Sequence, residues 1–345
     1  MDYCNMKPKI SVIVIGYNIE QFIDECLESV FRQSYTNYEV VFVNDGSTDR
    51  TLKIAKKYEQ EKGLIIVDKP NGGIVSARKA GVIKSSGDYL CFIDGDDWLN
   101  DDMLLSLVNA FSQSNSEPDI VCSGFNWQTE DGTFIVQSNV ITDDYNSLSY
   151  FNGIMSNDID HHMFPKLYKK DFVLKCGYLD YQNVTMAEDL MTNALFGLYD
   201  PIVVFSQDVN YYYRFNTSSV IRKGDEKLLE QIKTLSYLEK KLQEHYTGNN
   251  SKELMEYQWF SYAMGYLKRA GNYEIKKEIF DKCRTKFGDV ESNSYAQREL
   301  ANTQGRYARL FYTYYYHENI SAFHDKMLFT LLGMYKKIRK KIRGK

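Results

Sequence analysis

SSGDYLCFIDGDDWL, residues 85–99, is the stretch that decides the fold of this chain. The apolar run Tyr89–Ile93 predicts a buried strand, and it leads directly into the acidic turn Asp94–Asp97 (DGDD). Unpaired carboxylates this close together repel one another, and each is costly to hold beside an apolar core. A divalent cation among them relieves the repulsion, because Mg²⁺ and Mn²⁺ take carboxylate and phosphate oxygens as ligands. A solvated acidic turn or a helix N-terminus explains the same residues, and this stretch alone leaves both interpretations open.

Three further apolar runs precede this strand and alternate with helical patterns. Continuous β-branched runs are typical of strands buried on both faces of a parallel sheet. Ser47 or Thr48 is expected to cap the second helix, which runs to about Glu61 with Gly63 as its C-cap. The predicted strands are Lys9–Gly16, Tyr38–Val43 and Leu64–Val67, and the predicted helices cover residues 22–31, 47–61 and 75–84. The alternation predicts an α/β fold with a doubly wound, mainly parallel, Rossmann-like sheet.

Polar clusters follow all four predicted strands at their carboxyl ends. In a parallel sheet these ends share one edge, which is where ligands bind in doubly wound folds. The clusters are Tyr17-Asn18, Asn44-Asp45-Gly46-Ser47, Asn71-Gly72-Gly73 and Asp94-Gly95-Asp96-Asp97. No GxGxxG follows the first strand and no GxxxxGK[ST] occurs, so the sequence argues against a dinucleotide fingerprint and against a P-loop.

After residue 100 the pattern changes from strand–helix units to closely spaced strands. Asp131-Gly132 predicts a hairpin turn between two of them. The predicted strands are Asp119–Phe125, Thr133–Val140, Ile202–Phe205 and Tyr211–Arg214. From Glu226 onward the pattern is helical. We therefore expect an α/β domain with an antiparallel extension, a helical C-terminal domain and a basic amphipathic tail, at residues 1–223, 224–325 and 326–345.

In their order and spacing, the clusters resemble the motifs of family 2 glycosyltransferases with the GT-A fold. Each motif alone is weak, but six together are specific. They are Ser11–Val14 with Tyr17-Asn18, Asn44–Asp49, Asn71–Gly73 with Ala77-Arg78, Asp94–Asp97, Lys166–Tyr168 and Glu188-Asp189, within Lys9–Val220. The resemblance implies inverting transfer of a sugar from a nucleotide-sugar of the UDP-hexose or UDP-N-acetylhexosamine type. The implied acceptor is a hydroxyl of a glycan or lipid-linked glycan in surface polysaccharide synthesis.

The resemblance also implies roles for individual residues. Asp96 would hold Mn²⁺ or Mg²⁺, which neutralises charge on the departing nucleoside diphosphate, and Asp94 would either help to hold the metal or contact the ribose. Asp45 would accept the imide N–H of uracil, and Tyr17 would stack on the ring. The other residues expected at the nucleotide-sugar are Asn18, Asn71, Gly72, Arg78, Asp94, Lys166, Arg214, Ser218 and Ser219. For Arg78 the alternative is a helix-surface arginine, and Asp97 is expected only to cap the residues after it.

Inversion requires a base that takes the proton of the acceptor hydroxyl. The resemblance assigns this role to Asp189, with Glu188 in support or in contact with the acceptor. An acidic first turn of a helix explains the same pair. His161 and His162 lie just upstream. Contact with the donor or acceptor is one interpretation, but we expect exposed loop histidines there and not metal ligands. Lys79 stands where the family often has asparagine after its Ala-Arg pair, which leaves the donor sugar open.

Cysteine usage and the C-terminal residues indicate where the protein works. The six cysteines form no CxxC pair, and no signal-peptide pattern or bilayer-spanning apolar run occurs, so we expect a cytoplasmic protein. Residues 326–345 hold eight of the 42 basic residues and no acidic one, with apolar residues along one helical face. This pattern predicts peripheral binding to an anionic membrane surface at its inner face, and no nucleic-acid partner. A solvated helix docked on the body is the alternative.

Two other functions are compatible with parts of this pattern. A non-catalytic nucleotide-sugar-binding or scaffold subunit would keep the fold without transferring a sugar. A nucleotidyltransferase that forms sugar nucleotides shares the fold class but is expected to have a glycine- and lysine-bearing loop after the first strand. Residues 16–20 read GYNIE there, which argues against it.

Overall fold

The chain divides into two compact units in the computed structural model. One consists of Met1–Lys223 with Ser236–Tyr246, and the other of Gly224–Leu235 with Thr247–Lys345. The domain bounds expected from the sequence stay a prediction. The structure describes residues 7–113, 116–137, 150–181, 183–215, 228–245, 250–268, 280, 282–283, 286–287, 290–303 and 311.

A seven-stranded, mainly parallel sheet forms the centre of the first unit. Four parallel strands come from the alternating apolar runs: β1 Ile10–Gly16, β2 Tyr38–Asp45, β3 Ile65–Lys69 and β4 Tyr89–Asp94. Later strands complete the sheet as β6 Ile120–Cys122, β9 Lys166–Lys169 and β10 Val203–Phe205, in the order β10-β6-β9-β4-β1-β2-β3. Strand β9 is antiparallel to both β4 and β6, and it was not predicted as a strand. The predicted α/β fold with an antiparallel extension is confirmed.

Helices connect the parallel strands and cover both faces of the sheet. The helices of the first unit are α1 Ile23–Phe31, α2 Thr51–Lys62, α3 Ile74–Lys84, α4 Met103–Asn109, α5 Tyr150–Met155, α6 Lys170–Lys175 and α7 Glu188–Gly197. Because both faces are covered, every residue of β1 is buried, which explains its unbroken apolar sequence. Helix α3 lies so close to β1 that a Cβ on Gly81 would stand 2.3 Å from Ile13 Cγ2.

The expected start of α2 was wrong, although its end was predicted correctly. The helix begins at Thr51, whose backbone N–H donates to Oδ1 of Asp49 over 2.9 Å. Ser47 instead accepts the backbone N–H of Asn18 over 3.0 Å, so it joins two loops. The helix ends at Lys62, and its C-cap is Gly63, which has a φ of 72° in the left-handed region that favours glycine.

A second, four-stranded sheet begins directly after the acidic turn. Its strands are β5 Trp98–Leu99, β7 Phe125–Gln128, β8 Phe134–Gln137 and β11 Tyr211–Tyr213, in the order β5-β11-β7-β8. Strands β7 and β8 form the predicted hairpin, with Gly132 at a φ of 85° in its turn. The predicted strand residues 138–140 lie outside the described residues.

The described part of the second unit is helical, as the sequence predicted. The remaining helices are α8 Leu228–His245, half of which belongs to the first unit, α9 Ser251–Lys268 and α10 Ser294–Asn302. Asn293 begins α10, because its side chain accepts the backbone N–H of Ala296 over 3.0 Å. None of the helices in the described ranges has the length and apolar character needed to cross a bilayer. The basic tail at 326–345 lies outside the described residues.

The five described cysteines are buried thiols without a disulfide, at positions 26, 91, 122, 176 and 283. Burial raises the pKa of each thiol, so each favours the unreactive protonated form. They therefore serve as small apolar side chains in the core.

Candidate active site

The loops after β1 and β2 are tied together by Asn18. Its backbone N–H donates to Ser47, and its Oδ1 accepts the backbone N–H of Thr48 over 2.8 Å. Asn18 reaches both partners from a positive φ of 53°. Tyr17 precedes it with half of its surface exposed. The predicted adjacency of these two loops is therefore present.

Asp45, the last residue of β2, is hydrogen-bonded to the end of β3 and to the loop that follows it. Its buried carboxylate accepts hydrogen bonds from Lys69 Nζ over 2.5 Å and from the backbone N–H groups of Gly72 and Gly73 over 3.0 and 2.8 Å. Its carbonyl oxygen accepts from Asn71 Nδ2 over 2.9 Å. Oδ1 thus accepts two hydrogen bonds within the protein, whereas Oδ2 accepts one and keeps a second lone pair for a ligand donor. The proposed contact between Asp45 and uracil stays a prediction.

The acidic turn packs directly against the first strand. The backbone N–H of Gly95 donates to the carbonyl of Ile15 over 2.9 Å, and a Cβ at Gly95 would stand 2.7 Å from that oxygen. Burial raises the pKa of Asp94 to about 6; Arg78 opposes the rise, and the carboxylates of Asp189 and Asp96 add to it. The ionised form of Asp94 is therefore unfavourable in this turn, because the side chain is partly buried and lies near other carboxylates.

Asp97 anchors the second sheet and does not cap a helix. Its buried carboxylate accepts from the Tyr211 hydroxyl over 2.5 Å and from the backbone N–H of Arg214 over 2.8 Å. The next helix, α4, starts only at Met103. Burial, with the nearby Asp96 and Asp94 charges, raises the pKa of Asp97 well above its ordinary value. Asp97 thus fixes the end of β11 to the turn.

The donor set of the turn fits a divalent metal shared with a phosphate ligand. Asp94 and Asp96 are both partly exposed on the same turn. In the described part of the chain, no group of three or more His, Cys, Asp or Glu side chains is arranged to hold a metal alone. Mg²⁺ is commonly held by one or two carboxylates, with substrate phosphates and water completing its shell. Two carboxylates therefore suffice for a metal that binds together with a diphosphate.

Arg78 is wholly buried and connects the acidic turn to α7. Its Nη1 donates to Oδ1 of Asp189 and lies 4.0 Å from Oε1 of Glu188, while Nη2 lies 3.5 Å from Oδ1 of Asp94. The surrounding acids outweigh its burial and raise the pKa of the guanidinium. The alternative of a helix-surface arginine is therefore wrong.

The two acids at the start of α7 titrate in opposite directions. Burial opposes ionisation of Asp189, but Arg78 and His162 outweigh it and lower its pKa. Its second oxygen, Oδ2, accepts the backbone N–H of Met163 over 3.2 Å. Burial, followed by the charge of Asp189, raises the pKa of Glu188 to about 8. At neutral pH the pair thus holds one negative charge, on Asp189, and one proton, on Glu188.

The histidines expected to be exposed lie against this site. His162 pairs with Asp160, Nδ1 to Oδ1 at 2.7 Å, and its ring stacks on Phe164 at 4.9 Å between centroids. Burial lowers the pKa of His162, but Asp160 outweighs it, so the pKa is raised overall. His161 stacks on His162, and burial lowers its pKa. The only sequence signal for them was their position just before the Lys166 motif.

Two lysines hold the loops around the site. Lys166 is wholly buried, and its ammonium donates to the carbonyl of Asp160 over 2.8 Å and to that of His162. Lys79 donates to the carbonyl of Tyr181, in the loop before α7, so it faces that loop.

Arg214 lies on the outer side of the acidic turn. Its Nε donates to the carbonyl of Asp96 over 2.7 Å, and Nη2 donates to Oε2 of Glu25 over 2.5 Å. Its guanidinium also lies 4.3 Å from the centre of the Trp98 ring. Ser218 and Ser219, the other residues expected in this closing loop, lie outside the described residues.

Solved structures with the same architecture identify the fold. TarS of S. aureus, solved in complex with UDP-GlcNAc, superposes with a TM-score of 0.63 at 17% identity over 88% of this chain and 86% of that one. The mannosyltransferase PcManGT of Pyrobaculum calidifontis, solved with GDP-Man and Mn²⁺, gives a TM-score of 0.55 at 17% identity over 92% of this chain and 84% of that one. The fold is therefore that of GT-A glycosyltransferases.

The family follows from the sequence itself. Residues 11–171 match the family model described as Glycosyl transferase family 2. The uncharacterized glycosyltransferase EpsJ of Bacillus subtilis is 29% identical over 62% of this chain and 63% of its own length. Hyaluronan synthase of Pasteurella multocida is 31% identical over 48% of this chain, which spans only 19% of that protein. Residues 11–171 therefore form a glycosyltransferase family 2 domain.

Proposed function

We propose that the protein is a metal-dependent, inverting glycosyltransferase that moves a hexose or N-acetylhexosamine from a UDP-sugar to a hydroxyl of a glycan or lipid-linked glycan in surface polysaccharide synthesis. The observation that carries the proposal is the buried network in which Arg78 joins Asp189 to Asp94. It connects an ionised carboxylate with an acidic turn suited to a metal and a diphosphate. An acceptor for a proton and a site for the leaving group are thus adjacent.

In the proposed reaction Asp189 takes the proton of the acceptor hydroxyl as that oxygen attacks the anomeric carbon. The bond from the anomeric carbon to the diphosphate oxygen breaks, and UDP leaves with the electron pair. Asp94 and Asp96 would hold a divalent cation, which would supply positive charge to offset the charge on the diphosphate. Arg78 keeps Asp189 ionised and in place, and Met163 orients its second oxygen.

The choice of donor and pathway rests on likeness to named proteins. The complex of TarS with UDP-GlcNAc supports a UDP-sugar, and the complex of PcManGT with GDP-Man and Mn²⁺ supports a divalent metal in this fold. The similarity to hyaluronan synthase supports polysaccharide synthesis. A half-exposed Tyr17 leaves room for a base to stack.

A screen of nucleotide-sugars for hydrolysis with Mn²⁺ or Mg²⁺ tests the donor and the metal together. We expect one UDP-sugar to be hydrolysed and EDTA to stop the reaction. Asp189→Asn should abolish transfer and leave UDP binding nearly unchanged. A non-catalytic scaffold subunit would bind the nucleotide-sugar but show no hydrolysis or transfer in the wild-type protein, so that result would support the alternative function.

We further propose that residues 326–345 bind the anionic surface on the inner face of the cell membrane. Their eight basic residues and apolar helical face support this. Flotation with phosphatidylglycerol vesicles should recover the full chain and not a chain that ends at Asp325. Equal recovery of both would instead favour a helix docked on the body.

A further inference from the structure

A continuous row of rings lines one face of the second sheet, and we refer to it as the aromatic wall: Trp127, Tyr213, Phe164 and His162. The centroid of Trp127 lies 4.8 Å from that of Tyr213, and Tyr213 stacks on Phe164 at 5.5 Å with an angle of 19°. His162 stacks on Phe164 at 4.9 Å and lies 6.1 Å from Tyr213. The four rings therefore form one connected surface.

The inner end of the aromatic wall touches the residues proposed for the reaction. Phe164 stacks on Tyr211 at 4.4 Å, and the Tyr211 hydroxyl donates to Asp97 of the acidic turn. Met163, between the two inner rings in sequence, donates its backbone N–H to Oδ2 of Asp189. The wall is thus fixed both to the proposed metal turn and to the proposed base.

The loop that bears the inner rings is also attached to α7. Asn193 Nδ2 donates to the carbonyl of His161 over 2.8 Å and to that of Asp189 over 3.1 Å. Asn193 accepts from the hydroxyls of Tyr150 and Tyr168 over 2.6 and 2.9 Å. These bonds fix the position of the wall relative to the proposed base. A second substrate can be positioned for reaction only if the two are held in this way.

The outer end of the aromatic wall reaches the protein surface. Phe164 is fully buried, whereas Trp127 and Tyr213 are only half-buried. Ile135, which pairs with Trp127 across the hairpin, is 52% exposed. Trp127 and Tyr213 also pack against the hydrophobic core, but their partly exposed surfaces continue the row of rings from the proposed base to solvent.

We propose that the aromatic wall is the acceptor subsite, where a sugar ring of the acceptor glycan stacks on Trp127 at the outer end of the wall, with its reactive hydroxyl directed toward Asp189. This inference rests on the proposed function and adds the location of the second substrate. The apolar C–H face of a pyranose complements the negative face of an aromatic ring, and binding sites combine such surfaces with a few polar groups.

His161 supplies a polar group at the inner end of this subsite. Its ring is half-buried and stacks on His162 at 5.2 Å. Its neutral form offers one hydrogen-bond donor and one acceptor, which suits a sugar hydroxyl. The opposite face of the same sheet carries Trp98, Tyr212 and Phe134, so it provides a matched aromatic control.

Saturation-transfer NMR tests the subsite. The sample contains the full chain with UDP and with Mg²⁺ in place of Mn²⁺. The probes are the methyl α- and β-glycosides of glucose, galactose, mannose, N-acetylglucosamine and N-acetylgalactosamine. At least one should receive saturation at its ring C–H protons in the wild type and in Phe134→Ala. Trp127→Ala should weaken binding about tenfold, equivalent to about 1.4 kcal/mol, and Trp127→Phe should retain most of it.

UDP binding by each variant separates the possible outcomes. Normal UDP binding shows that a variant is folded and that the donor site is intact. If the wild type binds no glycoside of the panel, or if Trp127→Ala binds as well as the wild type, the subsite is disproved while the proposed function stands. If the wild type fails to bind UDP, the proposed function itself is wrong.

Discussion

Arg78 donates from Nη1 to Oδ1 of Asp189, and both side chains are buried where the sheet edge meets α7. The other end of the guanidinium lies 3.5 Å from Asp94 on the acidic turn. One buried cation thus serves acids from two separate parts of the chain. It keeps the proposed base ionised in a setting where burial alone would protonate it.

Replacing Arg78 should destabilise the fold strongly. Arg78→Met leaves buried carboxylates without their cation, and breaking a buried pair in this way costs about 3–5 kcal/mol. The double variant Arg78→Met/Asp189→Asn should lose less than the sum of the single variants, because it buries no uncompensated charge at Asp189. Urea denaturation at neutral pH measures all three free energies of unfolding.

Arg50 offers the matched control for this cycle. It pairs with Glu20 over 3.1 Å, but its side chain is 75% exposed. Arg50→Met should therefore change the free energy of unfolding by no more than about 1 kcal/mol. An Arg78→Met variant as stable as Arg50→Met would contradict the assigned role of the buried pair.

Glu188 gives stability a pH dependence of definite sign. Its pKa is about 8 in the folded protein, raised by burial and by Asp189, against an ordinary value of 4.5. Between these values the folded protein holds a proton that the unfolded chain has released. The contribution to stability is therefore complete below about pH 4.5 and is lost as the pH rises toward 8.

Glu188→Gln should remove this slope. We expect the free energy of unfolding of the wild type to fall more steeply than that of the variant, by up to about 1.4 kcal/mol per pH unit. Denaturation curves at intervals across this pH range measure both slopes. Glu59→Gln, an exposed change on α2, should keep the wild-type slope. Parallel curves for the wild type and Glu188→Gln would show that Glu188 is not held protonated.

The parallel half of the sheet was predictable because its signals are local. An unbroken apolar run such as residues 10–15 identifies a doubly covered strand, and polar turn residues mark its carboxyl end. The strand bounds consequently differ from the predicted ones by only one or two residues. The gathering of four loops at one edge then follows from the parallel topology alone.

Strand β9 had no comparable signal. It is four residues long with a lysine at each end, yet it lies between β4 and β6 in the middle of the sheet. Lys166 can be buried there because carbonyl oxygens of the 160–162 loop accept its ammonium hydrogens. Such a cage exists only in the tertiary structure, so the sequence could mark Lys166 by its motif but not by its contacts.

The roles of Asp97 and the histidines were hidden for the same reason. Asp97 meets Tyr211 and Arg214 more than a hundred residues later in the chain, and periodicity carries no information on such pairs. His162 gains its partly buried position from rings on β7, β11 and the loop before β9. A local pattern therefore made both look like ordinary surface residues.

The bond between Tyr211 and Asp97 should stabilise the junction of the two sheets. Tyr211→Phe removes the hydroxyl that donates to Oδ2 of the buried Asp97 over 2.5 Å, and the loss of this donor costs about 1–3 kcal/mol. Thermal or urea denaturation measures the loss. Tyr212→Phe, on the opposite face of the same strand, should stay within about 0.5 kcal/mol of the wild type. Equal stabilities of the two variants would contradict the proposed anchoring role.

Gly95 should be essential to the shape of the acidic turn. A Cβ there would stand 2.7 Å from the Ile15 carbonyl oxygen and 2.5 Å from Cδ1 of Ile19, so alanine must push the turn away from β1. Overpacking of this kind costs about 1–3 kcal/mol of folding free energy. Because the shift also moves Asp94 and Asp96, Gly95→Ala should weaken Mn²⁺-dependent UDP binding by about tenfold or more, a loss of about 1.4 kcal/mol.

Gly265 in α9 is the control for this substitution. A Cβ at Gly265 would meet nothing within 4 Å, and alanine favours a helix over glycine by about 0.5–1 kcal/mol. Gly265→Ala should therefore leave UDP binding unchanged and keep or raise the free energy of unfolding. Calorimetric titration of UDP with Mn²⁺ compares the variants. Binding of UDP by Gly95→Ala as tight as that by the wild type would contradict the proposal that the close contact between the turn and β1 holds the metal–diphosphate site in place.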